Sequence, residues 1–259
     1  MICSSLRDRG EELLAQRKGL EEYERSGSTM GIPLLHPWAN RLGGTAYVVG
    51  ETAVIVTDAR FDPNGLPIHG LLEAVRGWET VDAGEARLRA GKEVRGLAGF
   101  PFDHRIEVAA TLSPDGLTLE TTLTPRSGGV PVCFGHHPYL VLPGVPRAEW
   151  RIEAPVVEHL LLDERGIPTG EREPAGPLEG HLDDLFTVRD GPFVLSGGGR
   201  RLEVHFEQGY PYAQIFAPGN LDAVCFEPMT APTDALRHSP PLAWPAEPFR
   251  SRFSVLVRR

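Results

Sequence analysis

Arg105-Ile106-Glu107-Val108-Ala109-Ala110-Thr111-Leu112-Ser113-Pro114-Asp115-Gly116-Leu117-Thr118-Leu119-Glu120-Thr121-Thr122-Leu123 is the stretch that decides the fold class of this chain. Ile106, Val108, Ala110 and Leu112 alternate with more polar neighbours. Alternation of period two puts them on one face of a strand. Ser113-Pro114-Asp115-Gly116 has the residues of a tight turn. Leu117, Leu119, Thr121 and Leu123 then resume the same rhythm. The segment predicts a β-hairpin with one buried face.

The rest of the chain reads in the same way. Further strands are expected at Ala46–Val49, Val54–Thr57, Val156–Leu162, Phe193–Leu195, Leu202–Phe206, Ala213–Phe216, Ala223–Glu227 and Phe253–Val257. The 29 glycines and 24 prolines are spread along the 259 residues, as many short strands joined by turns require. Only Gly10–Arg25 has helical character, and its apolar spacing is loose. Glu164–Glu179 is rich in Pro, Gly and charge and reads as a surface loop. With no repeat and no linker, residues 1–259 are expected to form one domain of antiparallel sheets stacked as a large sandwich, an all-β fold with few short helices.

Composition narrows the partners. The net charge is −9 and no basic cluster stands out, which argues against nucleic acid. No apolar run is long enough to span a bilayer, and the N-terminus lacks the apolar core of a signal peptide. Cys3, Cys133 and Cys225 are odd in number and far apart, so a reducing compartment, the cytoplasm, is the expectation. A neutral small molecule fits this charge, and a monomer or homodimer is expected.

Two segments carry the chemistry, Gly135-His136-His137-Pro138-Tyr139 and Cys225-Phe226-Glu227-Pro228-Met229-Thr230. Each sets a titratable side chain at the end of an apolar run, before a proline. A histidine and a carboxylate brought together are a natural acid–base pair. On a strand through Ala223–Glu227, Val224 and Phe226 take one face, and Ala223, Cys225 and Glu227 the other. Pro228, with no N–H to donate, is expected to end the ladder. Glu227 is then either a cavity-facing carboxylate or a surface glutamate at a strand terminus, and alternation does not choose. His136 and His137 point to opposite faces of any strand, so only one of them can line a pocket.

Asn40-Arg41 before Leu42-Gly43-Gly44, His69-Gly70 after a turn-rich loop, and Asp183-Asp184-Leu185-Phe186 are weaker signals. An arginine fork can hold sugar hydroxyls or a carboxylate, and equally it can form a surface ion pair. The turn histidine and the aspartates have similarly ordinary readings.

Five motifs in order, Asn40-Arg41, Ile68-His69-Gly70, His137-Pro138-Tyr139, Asp183-Asp184-Leu185-Phe186 and Phe226-Glu227-Pro228, resemble those of the aldose 1-epimerases, or mutarotases. Pro101-Phe102-Asp103-His104-Arg105 and Leu142-Pro143-Gly144 resemble stretches of bacterial members. The resemblance implies a galactose-mutarotase-like β-sandwich with no metal and no organic cofactor. It implies Glu227 as general base, and His137, which directly precedes Pro-Tyr, as general acid. Arg41, His69 and Asp183, with Asn40, would bind the sugar. It further implies strand, turn and strand through Ser4–Leu14 followed by a short helix. The family carries additional strands before that segment; either the true start lies upstream of Met1, or those strands are missing, which would expose a sheet edge.

The expected activity is interconversion of the α and β anomers of a free aldose, with acid and base reaching one sugar from opposite sides. The base is expected to be ionised and the histidine to hold its proton more tightly beside a carboxylate. Alternatives are a hexose-6-phosphate mutarotase, with Arg76 and Arg95 as candidate phosphate contacts, and a sugar-binding or sensing protein without catalysis. A metal hydrolase using His69, His137, Asp183 and Glu227 has no compact ligand spacing to support it.

Overall fold

A computed structural model of the protein describes residues 1–258. The hairpin is present, with His104–Ser113 paired to Gly116–Pro125 in the register Ser113↔Gly116. Ile106, Val108, Leu117, Leu119, Thr121 and Leu123 are buried. Leu112 departs from the pattern at 50% exposed, although Leu117 directly across from it is buried.

This hairpin sits inside an eight-stranded sheet, in the order Arg151–Glu153, Pro192–Gly197, Arg200–Gln208, Phe249–Arg258, Gly116–Pro125, His104–Ser113, Arg87–Val94 and Glu79–Ala83. A nine-stranded sheet faces it. Its path runs Ile2–Cys3, Ile32–Leu35, Gly135–His136, Val224–Met229, Tyr212–Ala217, Leu182–Val188, Val156–Leu162 and Pro168–Pro174, with Tyr139–Leu140 also paired to Val224–Met229. Pairings within both sheets are antiparallel. Val224, Phe226 and Ile215 of one sheet pack with Leu119, Phe193, Val204 and Phe253 of the other in one apolar core. The helices are Gly19–Ser26 and Leu72–Val75, both short. Strands at Arg7–Asp8 and Glu11–Glu12 precede the first helix, as the resemblance implies for this segment.

Three expectations need correction. Glu164–Glu179 is not all loop: Pro168–Pro174 forms an exposed edge strand, where its two prolines interrupt no inner ladder. The strand expected at Val54–Thr57 runs Thr52–Ile55, because the turn at Gly50-Glu51 pairs Val49 with Thr52. Pro228 does not end its strand, which continues through Met229. Thr230 N donates to Phe134 O, so Pro228, two residues earlier, turns its nitrogen to the same side. On that side the neighbouring chain is broken into Gly135–His136 and Tyr139–Leu140, and the missing N–H interrupts no continuous ladder.

The core also buries three histidines away from the candidate site. His136 lies 3.1 Å from Thr121 Oγ1 and packs against Phe253. His104 donates from Nδ1 to Phe102 O at 2.6 Å, which leaves its Nε2 to accept from His36 Nε2 at 2.8 Å. Burial lowers the pKa of all three, that of His136 to about 3. A depressed imidazole contributes stability that is present above its unfolded value and is lost as pH falls toward the folded one. The melting temperature is therefore expected to fall steeply as pH drops below the ordinary imidazole range, at up to about 1.4 kcal/mol per pH unit for each proton taken up on unfolding. Glu227, shifted the other way, offsets one such proton. Thermal melts across this range check the expectation, and a flat profile would contradict it.

Candidate active site

Alternation along Val224–Met229 places Cys225 and Glu227 on the face of the nine-stranded sheet that points away from the core. The same alternation sends His136 into the core and His137 to the Glu227 side. His137 Nε2 and Glu227 Oε1 are 3.2 Å apart, and both side chains are at most 5% exposed. The two groups are in contact rather than on opposite flanks of a hollow.

Neighbouring strands and the loop through Asn40-Arg41 carry the other candidates to this pair. His69, at φ 61°, holds its ring 5.4 Å from that of His137, edge to face. Its backbone N–H donates to Asn40 O at 2.9 Å, which ties the strand Pro67–Leu71 to the Asn40 loop. Asn40 is buried, and its side-chain oxygen accepts from Arg41 NH1 at 3.1 Å. Arg41 Nε donates to the buried Asp62 at 2.8 Å, and its NH2 lies 3.9 Å from Asp183 Oδ2. Asp184, next in the strand, points to the opposite face and meets His159 at 3.3 Å. The six residues expected from the sequence thus form one connected group. Its floor is buried, and Asp183, with its side chain 36% exposed, lies at the rim.

Four residues were not found by sequence reasoning. Gln214 is directly across from Glu227 in the sheet and donates to Asp183 Oδ1 at 2.8 Å. Asp62 orients Arg41, and its Oδ1 accepts from the N–H groups of Asn64 and Leu66. An Asp at the head of Asp62-Pro63-Asn64-Gly65 is a turn signal and gives no hint of a buried ion pair. Tyr139 stacks on His137 with centroids 4.2 Å apart, and its hydroxyl is 3.1 Å from His137 Nε2. Arg17 NH1 donates to that hydroxyl at 2.8 Å.

Burial dominates the electrostatics. It pushes the Glu227 carboxyl well above the ordinary carboxylate range, Asp183 adds to the rise, and Arg41 opposes it. It lowers His137 well below the ordinary imidazole value, with further lowering by His69, Arg17 and Arg60. His69 is lowered to about 3 by burial and then by Arg60, Arg41 and Arg17. The expectation of an ionised Glu227 beside a more basic His137 is therefore reversed within the protein itself, because desolvation outweighs the attraction of the pair. Glu227 Oε2, Gln214 Oε1, His137 Nδ1 and His69 Nδ1 are buried without a hydrogen-bond partner among the described residues. Such atoms are rare in folded proteins, and four in one group mark a surface built for polar contacts.

Arg76 and Arg95 lie elsewhere. Arg76 donates to Arg25 O, and Arg95 is 3.7 Å from Glu93. Among the described residues no group of three or more His, Cys, Asp or Glu side chains is arranged to hold a metal ion, and no helix is long and apolar enough to cross a membrane.

Comparison with known proteins bears on the same arrangement. The family profile described as Aldose 1-epimerase matches residues 3–253. The fold is similar to that of a galactose mutarotase-like protein from Clostridium acetobutylicum, with a TM-score of 0.85 at 18% identity over 99% of this chain and 89% of that one. An aldose epimerase homologue from C. elegans is similar with a TM-score of 0.81 at 17% identity, over 98% of this chain and 91% of the other. A galactose 1-epimerase from Lactobacillus acidophilus NCFM gives 0.77 at 16% identity, over 99% and 88%. A search of curated protein sequences finds no match.

Proposed function

Because the chain belongs to the aldose 1-epimerase family, we propose that it interconverts the α and β anomers of an aldose by acid–base ring opening. The observation that supports this most is the 3.2 Å contact between His137 and Glu227 on the face away from the core. In this reading Glu227 takes the proton of the anomeric hydroxyl and His137 gives a proton to the ring oxygen. The C1–O5 bond breaks, the aldehyde turns about C1–C2, and reversal of the proton transfers closes the ring on the other face. Both reacting oxygens are bonded to C1, so two groups in mutual contact reach them from one side of the sugar.

The proton count balances across the pair. Before ring opening it is a carboxylate with an imidazolium, and afterwards a carboxylic acid with a neutral imidazole. Burial favours the second, uncharged form. A sugar hydroxyl that donates to the unpartnered Glu227 Oε2 favours the first, and Arg41 acts in the same direction. The two states are thereby drawn together in energy, as a reversible proton exchange requires. Arg41, Asp183, His69 and Gln214 present donors and acceptors for the remaining hydroxyls. Asn40, with its side-chain oxygen on Arg41 and its carbonyl on His69, positions both.

One proton on the pair is the working state. A second proton must be forced onto a lowered His137, and the last one is held by a raised Glu227. The rate is expected to be bell-shaped in pH. The acid limb lies below the ordinary imidazole value and the alkaline limb above the ordinary carboxylate value, and both belong to the pair. Polarimetry of a freshly dissolved aldose across pH tests the function and the profile together. A rate that does not respond to pH would contradict the assignment.

A further inference from the structure

Two guanidinium groups flank the acid–base pair without a carboxylate. Arg17 NH1 donates to Thr29 O at 2.9 Å and to Tyr139 Oη at 2.8 Å, and its Cζ is 4.9 Å from the Tyr139 ring centroid. Tyr139 in turn lies flat on His137. Arg60 pairs in register with Ile68, the neighbour of His69, and its NH1 donates to Gly27 O at 3.1 Å. Both guanidiniums therefore grip the short segment Gly27–Thr29, through carbonyls two residues apart. Each lowers the pKa of His69 and of His137.

Among the described residues, no Asp or Glu oxygen comes within ion-pair distance of either group. This contrasts with Arg41, which has Asp62 and Asp183. In a protein of net charge −9, two neighbouring cations with only neutral partners at one side of a reaction centre are unexpected. Like charges held together cost free energy unless an anion joins them, and guanidinium is the side chain best suited to phosphate or carboxylate oxygens.

We propose that Arg17 and Arg60 form an anion subsite beside His137, and that the preferred substrate is an aldose carrying an anionic substituent. This rests on the sugar-anomerising reading above and specifies the substrate within it. Arg17 is exposed and Arg60 is half-buried, so the subsite reaches from the solvent edge toward the pair. A phosphate monoester and a carboxylate share the required chemistry.

The test measures kcat/KM for anomerisation of a neutral hexose, its 6-phosphate and the corresponding hexuronate, with the full-length chain. At least one anionic sugar is expected to exceed its neutral parent by about tenfold or more, the effect of one charge-assisted contact. The preference should shrink with added salt. The phosphate and uronate arms decide which anion is read. In the double variant Arg17→Gln/Arg60→Gln the ratio of anionic to neutral kcat/KM should fall to near one, and Arg17→Lys/Arg60→Lys should restore part of it. Calorimetric titration of the same sugars into Glu227→Gln supplies a readout independent of turnover. Selective, salt-sensitive and arginine-dependent binding of an anionic sugar without anomerisation would uphold the subsite and sink the enzymatic reading. Anomerisation of neutral sugars at rates equal to or above those of the anionic ones, or an unchanged ratio in the double glutamine variant, would overturn the subsite alone.

Discussion

Glu227→Gln is expected to lower the rate of anomerisation by roughly 10²–10⁴-fold, about 3–5 kcal/mol of barrier, while sugar still binds. Glutamine keeps the volume of the side chain and can hold a hydrogen bond to His137 at the same 3.2 Å position. It removes the proton exchange and leaves Arg41, Asp183 and Gln214 in place. The stability effect runs the other way. Glu227 is raised in the fold, so its contribution is present below the unfolded carboxylate value and is lost as pH rises through the folded one. At neutral pH the native carboxyl therefore destabilises the protein, and the glutamine variant should melt at an equal or higher temperature. Loss of turnover with retained binding and a melting point that does not fall would identify Glu227 as a group held against stability for its chemistry. A variant that turns over normally would remove Glu227 from the mechanism.

Gly70→Ala is expected to be strongly destabilising for a change of one methyl group. Gly70 has φ +75°, and a Cβ there would lie 2.1 Å from His36 O and 2.4 Å from His36 C, both backbone atoms. Leu71 N donates to the same His36 carbonyl at 3.0 Å, so the two chains cannot part without breaking that bond. The left-handed conformation alone costs about 1 kcal/mol for alanine, and the overlap adds an amount on the order of overpacking, for a total of roughly 3 kcal/mol. For a chain of this size that corresponds to a drop of about 6–12 °C in melting temperature. Gly65→Ala is the control. Gly65 has φ +74° with nothing within 4 Å of its Cβ, so it carries the conformational term alone. Equal losses in the two variants would mean that the chain at Gly70 moves aside freely. Because His69 adjoins Gly70 and bonds Asn40, the Gly70 variant should also lose activity beyond what its stability explains.

The strands that face the core were legible because one buried face imposes a period of two, as in Arg105–Leu123. Glu79–Ala83 was missed because it is exposed throughout, and Arg87–Val94 because it carries charges on both faces, so no period survives. Pro168–Pro174 was missed because its prolines and glycine read as turn residues in the sequence. The placement of His137 beside Glu227 was legible for a related reason. Alternation fixes which face a residue joins, and it separates His136 from His137 and Cys225 from Phe226. Alternation does not say what lies across the strand. Gln214 meets Glu227 only through the register of Tyr212–Ala217 with Val224–Met229, which one chain's pattern does not encode. Arg17 and Asp62 reach the site through loops whose paths depend on long-range contacts such as His36 with Gly70. The charge state of the pair was misjudged for a third reason. Proximity of a base to an acid is visible in motifs, whereas the depth of burial that reverses their pKa shifts is a property of the assembled sheet.

In the proposed reaction Glu227 and His137 open and close the ring of a bound aldose. Magnetisation transfer between the anomeric protons of the α and β forms, measured at equilibrium with and without the protein, reads that step directly and needs no coupled assay. Exchange far faster than in buffer is expected for at least one aldose, reduced to near the buffer rate in Glu227→Gln. Saturable binding of sugar with exchange no faster than in buffer, across neutral and anionic aldoses, would contradict it and leave a sugar-binding protein in its place.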